Sequence, residues 1–457
     1  VIYVGTARAR LGPAAALIDT ARQTIAACEE NRLTRAVDTG SSDPPQLALA
    51  ELLRFLGRDA GDIVQSAAVD EDIGARRAHA EYAFRASGFE DAVVLVCDAN
   101  QPRGWAAWEF HHSGSLAEPH AIPHVEGDAS NYPIASSYSR LTEKLGFRPM
   151  RDEHFVEALA RAGHAEAATT QRELGEQLLA LVGRIRAVAK SQSLCLTGGL
   201  FFNTYFTTLA ASSGAFPRIY VPPHPGRNGT AVGAALMVAS TAGAAVPVGS
   251  PYLGPSYTDL EIKQTLENCK LSFDLVHADR LIDLILHALS RGRLIGWYHG
   301  RLEWGPRALG HRSVLADPFA PHVLENLNGF LKRRPSYRTY GVSIPLQDLP
   351  RYFECSASTP AASPFMQFEY RPLEPEKFRS VLPEGVRTLR VHTVDESEPK
   401  FLQLLQRWGE KTGVPVLVNT SFNGFHEPLV CSPRDAIRVF YGTGLDQLAL
   451  ENFYLRK

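Results

Sequence analysis

The chain reads as an α/β protein of two domains divided near residue 245, and three observations support this. The first half alternates short β-rich runs with amphipathic helical ones, the pattern of helices layered on a sheet. A stretch rich in Ala, Gly, Pro and Ser over 241–257 carries Pro247, Pro251 and Pro255, which block a helix and mark a linker. At 457 residues the chain is also too long for one ordinary core of roughly 100–200 residues. The expected domains are 1–240 and 257–457, joined by 241–256.

Taken in order, apolar β-favouring runs place strands over 2–5, 14–19, 92–98, 193–197 and 218–221. Apolar residues at three-to-four spacing place helices over 46–56, 152–161 and 174–190. Beyond the linker come helices over 259–267 and 280–291, a strand over 294–299, a helix over 400–410, a buried strand over 414–419 and a helix over 433–443. Hydrophobic residues at 45% and charged residues at 21% exclude a disordered, collagenous or coiled-coil chain. Lys+Arg 47 against Asp+Glu 49 leaves a charge of -2, so no overall field attracts nucleic acid or anionic membrane. Six cysteines without C-x-x-C spacing, most in apolar runs, read as reduced buried thiols. No run approaches the ~18–20 apolar residues of a membrane span, and the N-terminus reads as a strand and not a leader, so a cytoplasmic protein is expected.

The densest polar cluster runs from Gly300 to Ser313, with Arg301, Arg307 and Arg312 interleaved with Gly305 and Gly310 directly after a strand. Glycine admits a ligand to the backbone, and guanidinium groups clasp phosphate or carboxylate; a solvated basic loop is the plainer alternative. Lys332-Arg333-Arg334-Pro-Ser-Tyr-Arg338 taken alone reads as a helix end with a solvated charged face. Asn419-Thr420-Ser421-Phe422-Asn423-Gly424 opens a strand into small polar residues, suited either to holding a ligand or to a hydrogen-bonded turn. In the first half, Gly198-Gly199 after a strand and Gly229-Thr230 opening a helix are suited to phosphate approach or to close helix packing. Lone His79, His111, His112, His224 and His299 say little individually.

Together these segments resemble the carbamoyltransferase family of nodulation-protein and antibiotic O-carbamoyltransferases. The resemblance rests on Gly305-Pro-Arg307-Ala-Leu-Gly310-His-Arg312-Ser313-Val-Leu-Ala-Asp317-Pro318, on Val416 to Asn423 with Glu427-Pro428, on Gly198-Gly199 with Asn203, on Gly229 to Leu236, and on Tyr252 to Ser256. It implies an N-terminal domain of the actin-like (sugar-kinase) superfold and a C-terminal YrdC-like domain. It further implies that carbamoyl phosphate and ATP, with Mg2+, give carbamoyl-adenylate in the C-terminal domain. The N-terminal domain would then pass the group to a small-molecule acceptor of a specialised pathway. By motif matching, Arg307, Lys332, Arg338 and Ser421 take catalytic positions. Arg312, Arg390, Asn423, Gly198, Gly199, Asn203 and Gly229 take substrate or ATP positions.

The first half departs from the family at one place. The family holds an iron-type metal with an H-x-x-x-H pair and an aspartate; here His79 keeps one position, while Ala75 and Arg227 stand in the others. One imidazole beside a fixed cation does not hold a divalent ion, so no such metal is expected. The family's N-terminal Ser-His-Asp is replaced around Arg10-Leu11-Gly12-Pro13, its phosphate turn reads Asp98-Ala99-Asn100-Gln101, and its Glu-x-Lys helix reads Glu153-His154-Phe155. Three readings stay open. In the first, transfer is metal-free, with Arg76, Arg77 and Arg227 supplying positive charge. In the second, only adenylate chemistry operates, with another donor or a paralogous partner completing the cycle. In the third, the chain is a non-catalytic partner subunit. A homo-oligomer is compatible with each.

Overall fold

The computed structural model describes residues 1–9, 12–36, 44–69, 73–99, 104–113, 116–122, 132–356 and 359–457. It divides into two units, one over Val1–Gly254 and the other over Pro255–Ser356 and Ala361–Lys457.

In the first unit β1 (Ile2–Ala7), β2 (Ala14–Asp19) and β3 (Thr24–Glu29) form an antiparallel meander, and β4 (Ile63–Val69) adds parallel to β1, in the order β3-β2-β1-β4. The connectivity then repeats. β5 (Asp91–Cys97), β6 (Trp105–Ser113) and β7 (Leu116–Ala121) form a second meander, and β8 (Ser193–Thr197) and β9 (Arg218–Tyr220) extend it in parallel, in the order β7-β6-β5-β8-β9. The helix Ile73–Ser87 buries Ala80, Ala83 and Phe84 against Ala92, Val94, Val96 and Cys195 of the second sheet. On its other side Ala75 and Ala78 meet Val69 and Ala234, the last from the helix Thr230–Thr241. Small residues set that approach: a Cβ on Gly233 would stand 1.9 Å from the Ala78 carbonyl oxygen, and one on Gly5 2.0 Å from that of Ala231.

Around the expected linker the chain runs as follows from the helix Thr230–Thr241. The helix ends at Thr241, but the chain stays with the first unit to Gly254. Val246, Val248, Tyr252 and Leu253 between the prolines are buried, and the Leu253 carbonyl accepts from Ala27 N at 2.8 Å. The prolines stop the helix, and apolar burial anchors the segment beyond it.

The second unit is built on one mixed sheet. Its strands are β10 (Asp274–Leu275), β11 (Ile295–Tyr298), β12 (Arg312–Ala316), β13 (Gly341–Pro345), β14 (Phe368–Tyr370), β15 (Leu389–Val394), β16 (Leu417–Ser421), β17 (Gln447–Leu450) and β18 (Phe453–Arg456). They lie in the order β10-β18-β17-β11-β12-β16-β13-β15-β14. Alternation along the strands aims Ile295, Trp297, Leu315, Leu417 and Ala449 at one face, where the helices Ala278–Leu289 and Pro399–Thr412 bury Ile282, Ile285, Phe401, Leu405 and Trp408. Among the described residues no helix is long and apolar enough to cross a membrane.

Candidate functional site

The registers of the second sheet bring the sequence clusters to one end of it. Tyr298 pairs with Arg312, Ser313 with Ser421, and Gly341 with Asn419, all antiparallel, while Tyr298 pairs in parallel with Leu450. The loop 299–311, the segment after Ser421, the start of β13 and Glu451 therefore share that end. Arg390, near the start of β15, stands across from Glu369 of β14.

Lys332 closes the wide-turned helical segment Asn326–Lys332, and its ammonium is buried. It donates to the Ser421 carbonyl at 2.5 Å, the Asn423 carbonyl at 3.0 Å and Asn423 Oδ1 at 2.5 Å, with Ser421 Oγ at 3.4 Å. Ser421 Oγ donates to Asn423 Oδ1 at 2.8 Å, and Asn423 Nδ2 to the Glu427 carbonyl at 2.5 Å. Lys332, Ser421 and Asn423 thus form one network, and the solvated charged face that the sequence suggests for Lys332 is not what forms. Burial pushes its pKa well below the usual lysine value, the charge of Arg334 adds to the effect, and Glu427 opposes it. Arg338 is buried nearby, its carbonyl accepting from Asn328 Nδ2 at 3.2 Å. Both Arg334 and Arg338 act electrostatically on Tyr340.

Arg312 is fully buried. Its Nη1 donates to the His299 carbonyl at 2.7 Å and the His311 carbonyl at 3.1 Å, and its guanidinium lies 3.5 Å from the Tyr298 ring centroid. Nε and Nη2 are buried with no hydrogen-bond partner among the described residues. Arg307 is half-buried in the same loop. One residue that shapes this loop had no role assigned from sequence: Glu303 Oε1 accepts from the backbone N–H of Leu309, His311 and Arg312 at 2.9, 2.8 and 2.8 Å. A carboxylate shortly before a Gly-Pro turn is the one local signal for it. His299 and His311 had no such signal; each meets a carboxylate only in the fold, Glu451 at 2.7 Å and Glu398 at 2.7 Å.

In the first unit the glycines have different roles. Gly198 has φ +105, and a Cβ there would meet the Cys97 carbonyl oxygen at 2.1 Å; at Gly229 it would meet that of His224 at 2.2 Å. Both are close-packed backbone crossings. At Gly199 the nearest atom is Asp98 Oδ2 at 3.8 Å. Asn203 caps the helix Thr204–Ser212 through Tyr205 N, and its Nδ2 donates to Tyr138 Oη at 2.9 Å and Gln171 Oε1 at 2.8 Å.

His79 is buried, with Nδ1 3.4 Å from Thr197 Oγ1 and Nε2 3.8 Å from Asp98 Oδ2. Burial drives its pKa down to about 4; Asp98 opposes this, while Arg227 and His224 add to it. Glu29 gathers His224 Nε2 at 3.3 Å, Asn228 Nδ2 at 3.0 Å and Arg32 Nε at 2.8 Å. Burial would raise the Glu29 pKa, but Arg32, His224 and Asn228 hold it far below the usual carboxylate range. Ala75 is buried among Val69, Ala78 and Ala234. This donor set does not fit a divalent metal: among the described residues no three His, Cys, Asp or Glu side chains converge, and a guanidinium stands within electrostatic reach of His79. Arg77 is drawn off to Glu81 at 3.1 Å on a half-exposed helix face. Arg10, Leu11, Asn100 and Gln101 lie outside the described residues.

The Carbamoyltransferase C-terminus family model matches residues 286–457, and the Carbamoyltransferase N-terminus model matches residues 164–236. The chain is 35% identical over 274 residues to nodulation protein NolO of Bradyrhizobium diazoefficiens, covering 58% of this chain and 49% of that protein. It is 28% identical over 267 residues to 3'-hydroxymethylcephem-O-carbamoyltransferase of Amycolatopsis lactamdurans, covering 58% and 49%. It is 27% identical over 451 residues to the uncharacterized protein MJ1058 of Methanocaldococcus jannaschii, covering 83% and 72%. The chain spans about half the length of the first curated relatives it matches. Among solved structures, a ROK family glucokinase from Streptomyces griseus aligns with TM-score 0.30 and 11% identity, over 51% of this chain and 98% of that one. The two family segments together span more than half of the chain, and the C-terminal one contains the whole Lys332–Ser421–Asn423 network: over these segments the chain matches the carbamoyltransferase family.

Proposed function

We propose that this chain is a carbamoyltransferase that forms carbamoyl-adenylate from carbamoyl phosphate and ATP in its second unit, a YrdC-like domain. The observation that carries the reading is the Lys332–Ser421–Asn423 network at one end of the sheet, with Arg334 acting electrostatically on Lys332 and with Arg312 and Arg338 buried in the segments that meet there. Carbamoyl phosphate and ATP are both anionic, and buried cations orient such groups more strongly than exposed ones do. Arg307 and Arg390, half-buried at the same end, extend the anion surface, and Mg2+ accompanies the triphosphate.

The first unit is read as an actin-like domain that passes the carbamoyl group to a small-molecule acceptor of a specialised pathway. Its duplicated strand order supports that reading. Arg227 supplies the positive charge there, beside a neutral His79 and without a metal. The reading is tested by pyrophosphate and AMP release from ATP, with and without carbamoyl phosphate and before any acceptor is added. Carbamoyl-phosphate-dependent release supports it. Release only with another donor indicates a repurposed ligase, and no nucleotide turnover indicates a partner subunit of another carbamoyltransferase.

A further inference from the structure

Two imidazole–carboxylate pairs stand side by side at the same sheet end, outside the Lys332 network. His299 Nδ1 lies 2.7 Å from Glu451 Oε2, and Glu451 Oε1 accepts from Gly300 N at 2.5 Å. His311 has both ring nitrogens engaged, Nδ1 2.6 Å from the Arg301 carbonyl and Nε2 2.7 Å from Glu398 Oε2. The two rings meet edge-on with centroids 5.3 Å apart. Among the described residues His299 Nε2 has no hydrogen-bond partner, and the side chain is 26% exposed.

The position of Glu451 is unusual. It sits in the two-residue turn between β17 and β18 with φ 53, a left-handed conformation that glycine or asparagine adopts with less strain. A strained glutamate whose carboxylate is aimed at a histidine is a mark of function more than of turn design. Burial, the largest influence, pushes the His299 pKa below its usual range; Glu451 raises it, and Lys400 and His311 lower it. Burial opposes ionisation of Glu451, but the hydrogen bond and charge of His299, the charge of Lys400 and the Gly300 N–H bring it down to about 2. The result is a neutral imidazole oriented by an ionised carboxylate, with its second nitrogen open.

We propose that His299, oriented by Glu451, is the general base that activates water against carbamoyl phosphate. This rests on the carbamoyl-adenylate reading above. The water oxygen bonds to the carbamoyl carbon, and the carbon–oxygen bond to phosphate breaks with its electron pair leaving on phosphate. One water proton passes to His299 Nε2 and on to the departing phosphate; the other is lost to solvent as carbamic acid ionises. The carbamate so formed is the nucleophile for ATP. His299 follows β11 and Ser421 ends β16, two strands apart and so about 10 Å across the sheet. A small acyl phosphate held beside Lys332, together with one water, spans that gap.

The test compares wild type, His299→Gln and Glu451→Gln for phosphate release from carbamoyl phosphate and pyrophosphate release from ATP, across the acid range. His299→Gln should lower kcat for phosphate release by about 10²–10⁴-fold with KM for ATP unchanged, and added imidazole should restore part of the rate. Glu451→Gln removes the group that raises the His299 pKa, so the acid limb of kcat/KM should move to lower pH. A His299→Gln enzyme as active as wild type, or one that loses ATP binding together with activity, overturns the proposal and leaves the adenylate reading intact. A wild type that releases neither phosphate nor pyrophosphate overturns both.

Discussion

At Lys332 charge and burial are opposed. Replacing it with methionine removes the donor from four oxygens of Ser421 and Asn423, in a place where an unpaired acceptor costs about 1–3 kcal/mol. Lys332→Met should therefore lower the urea midpoint by a corresponding amount and abolish carbamoyl-phosphate-dependent pyrophosphate release. A stable but inactive variant would assign Lys332 to chemistry alone. Thiols give a second residue-level prediction. Cys355 is exposed and Cys269 half-buried, whereas Cys28, Cys97, Cys195 and Cys431 are buried. Burial raises the Cys195 thiol to about 12, and Cys97 is raised further, with Asp98 adding to the effect. Peptide mapping after maleimide treatment should find Cys355 labelled first and Cys97 and Cys195 labelled only in denaturant.

Among the elements, the small-residue helix Thr230–Thr241 shows how composition becomes geometry. Its Ala- and Gly-rich face admits β1 and the helix Ile73–Ser87 at backbone distance. Gly233→Ala would place a Cβ 1.9 Å from the Ala78 carbonyl oxygen, so it should cost at least the ~1–3 kcal/mol of ordinary overpacking, read as a lowered thermal midpoint. Gly183 is the control. It lies within the helix Ala165–Val188 with nothing near its Cβ position, and Gly183→Ala should stabilise by about 0.5–1 kcal/mol. In the sequence, Gly229 to Ala235 was equally compatible with phosphate approach and with packing. The contacts of Gly229 and Gly233 show packing, because a glycine run carries no information about which backbone will cross it.

At the scale of the whole chain, each unit buries a neutral histidine. Burial lowers His79 to about 4 in the first unit and His392 to about 3 in the second. Both folded values lie below the unfolded value of ~6.5, so below that pH the unfolded chain binds more protons. Stability is then complete above ~6.5 and declines as pH falls toward 4. Urea midpoints should fall between neutral and mildly acidic buffer, and His392→Gln should flatten that slope. A pH-independent midpoint would contradict the burial of these rings.

Much of this architecture was legible in the residues. The strands over 14–19 and 193–197 and the helix over 46–56 coincide with β2, β8 and the helix Gln46–Leu56, because apolar periodicity and local turn chemistry suffice to define such elements. The polar clusters around Arg307 and Ser421 also stand out in the sequence, since glycine, arginine and small polar residues after a strand carry their chemistry locally, whereas Lys332 read locally is a solvated helix end and only the family resemblance marks it. What was not legible depends on residues distant in sequence. Lys332 reaches Ser421 across 89 positions, His299 meets Glu451 across 152, and Glu29 meets His224 across 195. Antiparallel register, burial and the approach of the helices set those distances. A side chain's partner, and with it its charge state, is a property of the folded neighbourhood and not of the local sequence.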